Sequence, residues 1–268
     1  MITTNFHTHT VFCDGKNTPE EMVLAAIEKG FTVLGFSGHS FFEPQKDFCM
    51  SKDSEKEYFR QVTELKEKYK DKITILCGIE QDIFSLEPEY PYDYRIGSVH
   101  NVLKNGVYYE VDASPMSLKN TVDEVYGRDF DSFAEEYFSL VESVLEKTNA
   151  DIIGHIDLIS KYSEQNGYKE SARFLKIAEK TVKKLVSYER PFEINTGAMS
   201  RKARSIPYPS PEILKLIKKY GGNIIFSSDC HDKDYLDYGF CDAVKLALDI
   251  GFTHHAVLTQ NQIKYEKI

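Results

Sequence analysis

The chain has 268 residues, 41% hydrophobic and 28% charged, the balance of a soluble globular protein that can bury a substantial core. Its formal net charge of −9 excludes non-specific binding to long nucleic acid or anionic membranes, which needs a basic surface for counterion release. The N-terminus MITTNFHTHT lacks the basic and apolar regions of a secretory leader, and residues 30–42, the longest uncharged apolar stretch, are too short to span a bilayer. Five widely spaced cysteines with no CxxC pair read as reduced thiols, so the expected location is cytoplasmic.

In chain order, residues 2–6 read as a strand. Thr18-Pro19-Glu20-Glu21 then starts a helix: a hydroxyl cap, proline in the first turn, and acids at the positive end of the dipole. That helix stops at Gly30, and residues 31–37 form the next strand. Tyr58, Val62, Leu65 and Tyr69 recur at helical spacing through a Lys/Glu-rich segment whose charges read as a solvated face. Further strands are expected at 73–79, 94–99, 150–154, 191–194 and 223–228. Phe133, Tyr137, Leu140 and Val144 mark one helix between them, and Phe174, Ile177, Thr181, Leu185 and Tyr188 mark another. Residues 211–220 and 241–250 supply the last two helices. No internal repeat or linker-like tract interrupts the seven βα-like units, so the expectation is one domain over 1–268.

Alternating strands and helices imply a parallel sheet. Polar residues decide whether it is open or closed. His7 and His9, His39, Glu80, His100, His155, Asn195 and Asp229 each fall at or just beyond the C-terminal end of a successive strand. An open sheet would spread these ends over roughly 30 Å, at about 4.8 Å per strand. A barrel brings them to one face, where such enzymes build their sites. A distorted (β/α)7 TIM-like barrel of the α/β class is therefore expected.

Six of the eight histidines lie in these clusters, and neutral imidazole is a favoured ligand for zinc and its neighbours. Spacing of i, i+2 lets His7 and His9, or Asp229 and His231, face the same side of a strand. Glu80 ends the apolar run ILCGIE, where an uncompensated carboxylate would be costly and a metal would remove the cost. Asp14-Gly15, in the turn after the first strand, is near enough to join. His254 and His255, in FTHHAV, lack this placement and read as structural or exposed.

Together HTHT, Asp14, GHS, GIE, GSVH, GHID and SSDCH resemble the PHP (polymerase and histidinol phosphatase) superfamily, in order and spacing over essentially the whole chain. GHIDLISKY and EINTGAMSRK followed by PYPSPEIL resemble its histidinol-phosphatase branch. The resemblance implies three divalent metal ions, zinc foremost with iron or manganese compatible. His7, His9, Glu80 and Asp229 would hold the first; Glu80, His100 and His155 the second; Asp14, His39 and His231 the third. It implies hydrolysis of L-histidinol phosphate by a metal-bridging hydroxide. Glu80, Asp229 and His231 are the expected catalytic residues, with Asp229 orienting the nucleophile and either His231 or a water of the third metal near the leaving oxygen. Arg201, in the only basic cluster after a barrel strand, and Lys161 in ISKY would contact phosphate.

One departure is Asn5, where relatives often carry aspartate two residues before the first ligand; an amide there could hold an imidazole but adds no charge. The amidohydrolases also open with HxH, but they bridge metals through a modified lysine and would leave Asp14, His39 and His231 unexplained. The partner expected is a small phosphate monoester, processed by a monomer or small homo-oligomer. The alternative is the same fold acting on nucleotides or short oligonucleotides; a non-catalytic metal-binding module would be expected to lack ligands.

Overall fold

The protein is described by a computed structural model covering residues 2–259 and 262–268. Its strands are β1 (Thr4–Asn5), β2 (Val33–Phe36), β3 (Thr74–Asp82), β4 (Tyr94–Ser98), β5 (Asn101–Lys104), β6 (Val107–Glu110), β7 (Ile152–Ile153), β8 (Phe192–Asn195), β9 (Ile224–Ser227), β10 (His254–Leu258) and β11 (Ile263–Lys267). Seven of them form an all-parallel sheet in the order β1-β2-β3-β4-β7-β8-β9. Beyond the ends of β1 and β9 the chain closes on itself. Thr8 bridges Cys230, and the His9 amide donates to the Cys230 carbonyl at 2.9 Å. Asn5 ties the same seam through Ser228 Oγ at 2.6 Å. The result is the expected distorted barrel.

Alternation along the strands sorts the apolar side chains into an inner and an outer set. Phe6, Leu76, Tyr94, Ile96, Ile152 and Ile225 fill the barrel interior together with Ala256, Val257 and Leu258 of β10. Tyr94 lies across this interior and donates to the Phe6 carbonyl at 2.5 Å and the Phe36 carbonyl at 2.9 Å. Outside, the helices Pro19–Glu28 and Lys52–Tyr69 cover the first strands, while Phe130–Val141, Ala172–Val186, Pro211–Lys219 and Phe240–Ile250 cover the others. The cap expected at Thr18 is present, with Thr18 and Glu21 bonding each other's backbone. Among the described residues no helix is long and apolar enough to cross a membrane.

Several local features differ from the sequence reading, among them the unexpected antiparallel hairpin β10–β11 and a helix at Pro115–Asn120. The helix read through Val144 ends at Val141, and a second, Val144–Thr148, begins after Ser143, whose backbone leaves the helical region. The helix read to Tyr188 ends at Val186. An antiparallel hairpin, β5–β6, also stands between β4 and β7. Its turn is Asn105-Gly106, with φ of 53° and 79°, the two positive values that a tight hairpin of this kind requires.

Candidate metal centre

Every barrel strand delivers a polar side chain to one end. His7 and His9 extend beyond β1, His39 beyond β2, His100 beyond β4, His155 beyond β7, and Asp229 and His231 beyond β9; Glu80 lies within β3. Asp14 returns from the turn after β1. A Cβ on Gly15 would sit 2.5 Å from the His9 backbone, so glycine is what lets this turn fold back onto the strand.

Glu80 is the hub, and its two oxygens divide the histidines. Oε1 lies 3.0 Å from His155 Nε2 and 3.3 Å from His100 Nε2. Oε2 lies 2.9 Å from His39 Nδ1, 3.1 Å from His7 Nε2 and 3.6 Å from His9 Nε2. Asp229 Oδ1 adds contacts of 3.3 Å to His9 and 3.7 Å to His7. Asp14 stands 3.1 Å from His231 Nε2 and 3.7 Å from both His9 Nδ1 and His39 Nε2. All nine expected ligands therefore converge, and among the described residues their donor atoms form four overlapping groups within 4.8 Å. One of these also places His9 with Asp14, His39 and His231, so His9 stands between two of the expected ion positions.

These residues fit a metal centre on grounds of their own. His7 Nε2, His9 Nε2, Glu80 Oε2 and Asp14 Oδ1 are buried polar atoms without a hydrogen-bond partner, in a region where orphaned polar groups are costly. All four residues belong to the overlapping donor groups. The charges are mutually dependent too. Burial works against the Glu80 and Asp229 carboxylates, yet the adjoining imidazoles, His7 foremost, hold both well below the usual range. Burial and the neighbouring His231 and His39 rings push His9 down to about 3, whereas the facing carboxylates, against the effect of burial, raise His7, His39 and His100. Asp229 takes a left-handed φ of 45°, and a Cβ on Gly197 would meet its side chain at 2.8 Å. Backbone strain of this kind concentrates at functional sites.

Two acids unassigned by sequence orient the ring of ligands. Glu193, on β8, meets His7 Nδ1 at 2.6 Å and accepts from the His155 amide at 2.9 Å and from Asn195 Nδ2 at 3.0 Å. Asp82 accepts from the His100 amide at 2.8 Å and lies 3.0 Å from His100 Nδ1. A carboxylate on the far nitrogen fixes an imidazole's tautomer and strengthens its hold on metal. Asn5 does not do this: its Oδ1 accepts from the His7 amide at 3.2 Å and its side chain braces the barrel seam, so Glu193 supplies the charge that Asn5 lacks. A buried acid in the apolar strand FEIN was the available signal, the same one that singled out Glu80. Glu193→Gln should lower zinc affinity about 10–100-fold, with activity recovered at saturating zinc. Chelator competition reads this directly, and wild-type affinity in the variant would count against an orienting role.

A cleft of about 430 Å³ opens over the cluster, with Lys161 and Arg201 in its wall. Arg201 Nη2 lies 3.3 Å from Asp229 Oδ2, and Nη1 lies 2.8 Å from His231 Nδ1. Lys161 reaches the cleft with Nζ paired to Asp112 at 2.8 Å. The rest of the basic run divides: Lys202 is exposed, whereas Arg204 turns inward. His254 and His255 lie on β10, away from the cluster, the former exposed and the latter buried 5.4 Å from the Phe226 ring.

Comparison with known proteins follows the same lines. A family model for the PHP domain matches residues 5–197, a span holding seven of the nine expected ligands but not Asp229 or His231. The chain is 29% identical to the probable histidinol-phosphatase of Schizosaccharomyces pombe, across 84% of this chain and 79% of that protein. It is 27% identical to the histidinol-phosphatase of Lactococcus lactis, across 98% of this chain and 96% of that one. It also shares the fold of a solved L. lactis histidinol phosphate phosphatase, complexed with zinc, L-histidinol and phosphate. That match has a TM-score of 0.74 at 24% identity and covers 98% of each chain.

Proposed function

The chain belongs to the PHP domain family, and on that premise we propose that it is a phosphoric monoester hydrolase converting L-histidinol phosphate to L-histidinol and phosphate. The observation that carries this reading is Glu80, whose two buried oxygens face separate sets of imidazoles beneath a cleft with cations in its wall. Relatives from a yeast and a bacterium that carry the histidinol-phosphatase name support the choice of substrate.

In this reading three divalent ions occupy the centre, zinc foremost, with iron or manganese compatible with the same imidazole and carboxylate donors. His7, His9, Glu80 and Asp229 hold the first, Glu80 with His100 and His155 the second, and Asp14, His39 and His231 the third. Such ions supply a water acidified toward neutrality and neutralise charge on a phosphoryl group. The protein's own groups do the positioning. Asp229 Oδ2 is held by Asn195 and Arg201, which fixes the carboxylate with Oδ1 turned toward His7 and His9, where it would help orient a nucleophile. Arg201 and Lys161 bind the phosphate oxygens from the cleft wall, and His231, partly exposed at the mouth, lies toward the departing alkoxide. A small monoester fits this cleft.

A panel of phosphate monoesters assayed with zinc-loaded protein tests the proposal. The expected result is a kcat/KM for L-histidinol phosphate at least about tenfold above that for nucleoside monophosphates, a difference of ~1.4 kcal/mol in transition-state binding. Preference for nucleotides or short oligonucleotides would replace the substrate and keep the chemistry. Stoichiometric metal binding without hydrolysis of any ester would reject the enzyme reading.

A further inference from the structure

Two loops carry the cations of the cleft, and they leave different strands. One follows β7 and holds Lys161; the other follows β8 and holds Arg201. Beneath the cleft they are joined by an ion pair that does not line it. Arg204 Nη1 donates to Asp157 Oδ2 at 3.2 Å and to Ser160 Oγ at 2.8 Å. The same Asp157 oxygen accepts from the Ser210 amide at 3.0 Å and from Ser160 Oγ at 3.1 Å. The Arg204 guanidinium lies 4.4 Å from the centroid of the Tyr208 ring. Asp157 is 0% exposed and Arg204 7%.

Each partner is tied rigidly to a cleft cation. The Ser160 amide donates to the Asp157 carbonyl and the Lys161 amide to the Leu158 carbonyl, so one tight turn runs from Asp157 to Lys161. On the other side, the Arg201 amide bonds Gly197, and those of Ala203 and Arg204 both bond Ala198. Arg204 and Arg201 therefore belong to one turn, anchored at Gly197 and Ala198. A buried ion pair adds little stability over an apolar pair of similar volume, so its distinctive contribution is geometric.

We propose that the Asp157–Arg204 pair is a positioning clamp that sets the separation of Lys161 and Arg201 and thereby the affinity of the cleft for a phosphate dianion. It rests on the phosphate-binding role assigned to those two cations.

The test is inhibition by inorganic phosphate of the zinc-loaded enzyme, with zinc content and thermal midpoint measured in parallel. Asp157→Asn and Arg204→Gln should each raise the phosphate Ki and the substrate KM together by about tenfold, since displacement of a binding group by about 1 Å is costly. Changes in kcat should stay below about threefold, with zinc content that of the wild type. Each single change strands a buried charge, so the double variant Asp157→Leu/Arg204→Met, apolar and similar in volume, should fold and show the same rise. A wild-type Ki in folded, fully metallated variants, with only the thermal midpoint lowered, overturns the clamp. Arg201→Ala separates the levels. If it raises Ki while the clamp variants do not, the clamp alone is refuted; if it too leaves Ki unchanged, the phosphate assignment beneath it fails.

Discussion

Replacing Glu80 with alanine is expected to strip the protein of metal and lower kcat for phosphate-ester hydrolysis on the order of 10³-fold or more. Deleting an outer carboxylate that only orients a ligand costs about 10–100-fold. Glu80 does more, because its two oxygens face five imidazoles. Removing it takes away the anion that balances these rings in a buried space. Phosphomonoester hydrolysis is among the slowest uncatalysed reactions, so little turnover remains once the ions are lost. Glu80→Gln, which keeps shape and loses charge, should fail nearly as completely. Metal content and single-turnover rate should fall together. A Glu80→Ala protein with wild-type metal content would remove the bridging assignment.

Replacing Arg201 with alanine is expected to raise KM for the phosphate ester by about tenfold or more, ~1.4 kcal/mol of binding for each factor of ten. Its guanidinium reaches the cleft beside Asp229 and His231, where its planar fork can meet two phosphate oxygens at once. Arg201→Lys should recover only part of the loss, since an ammonium is a point charge without that fork. Because Arg201 also touches Asp229, metal content has to be followed in the same samples, and it is expected to remain that of the wild type. Kinetics unchanged by Arg201→Ala would remove the residue from phosphate binding.

What the sequence made legible follows from the range of each interaction. Apolar runs ending in a histidine, an acid or, once, the amide Asn195 located the seven barrel strands, because burial and strand-end placement are local properties. Convergence could be argued only from topology, and the barrel seam at Thr8 and Cys230 is what brings it about. The β5–β6 hairpin went unread because it is half exposed and carries no inward apolar alternation; Asn105-Gly106 was its one clear mark. Continuous apolar spacing hid the break at Ser143, which depends on its backbone rather than on pattern. Glu193 was hidden by distance, since its partner His7 lies 186 positions away. RKAR looked like one basic surface, yet its two arginines part, Arg201 toward the cleft and Arg204 toward Asp157. Linear sequence does not encode which way a turn rotates.

Six histidines and three acids, all but Asp14 at or near successive strand ends, are proposed to form one centre for several metal ions. Elemental analysis of protein purified without chelator and without added metal tests it most directly. The expected result is close to three equivalents of divalent metal per chain, zinc predominating, and a fall in Glu80→Ala to well below that. A saturated, fully active protein carrying one equivalent or none would contradict it.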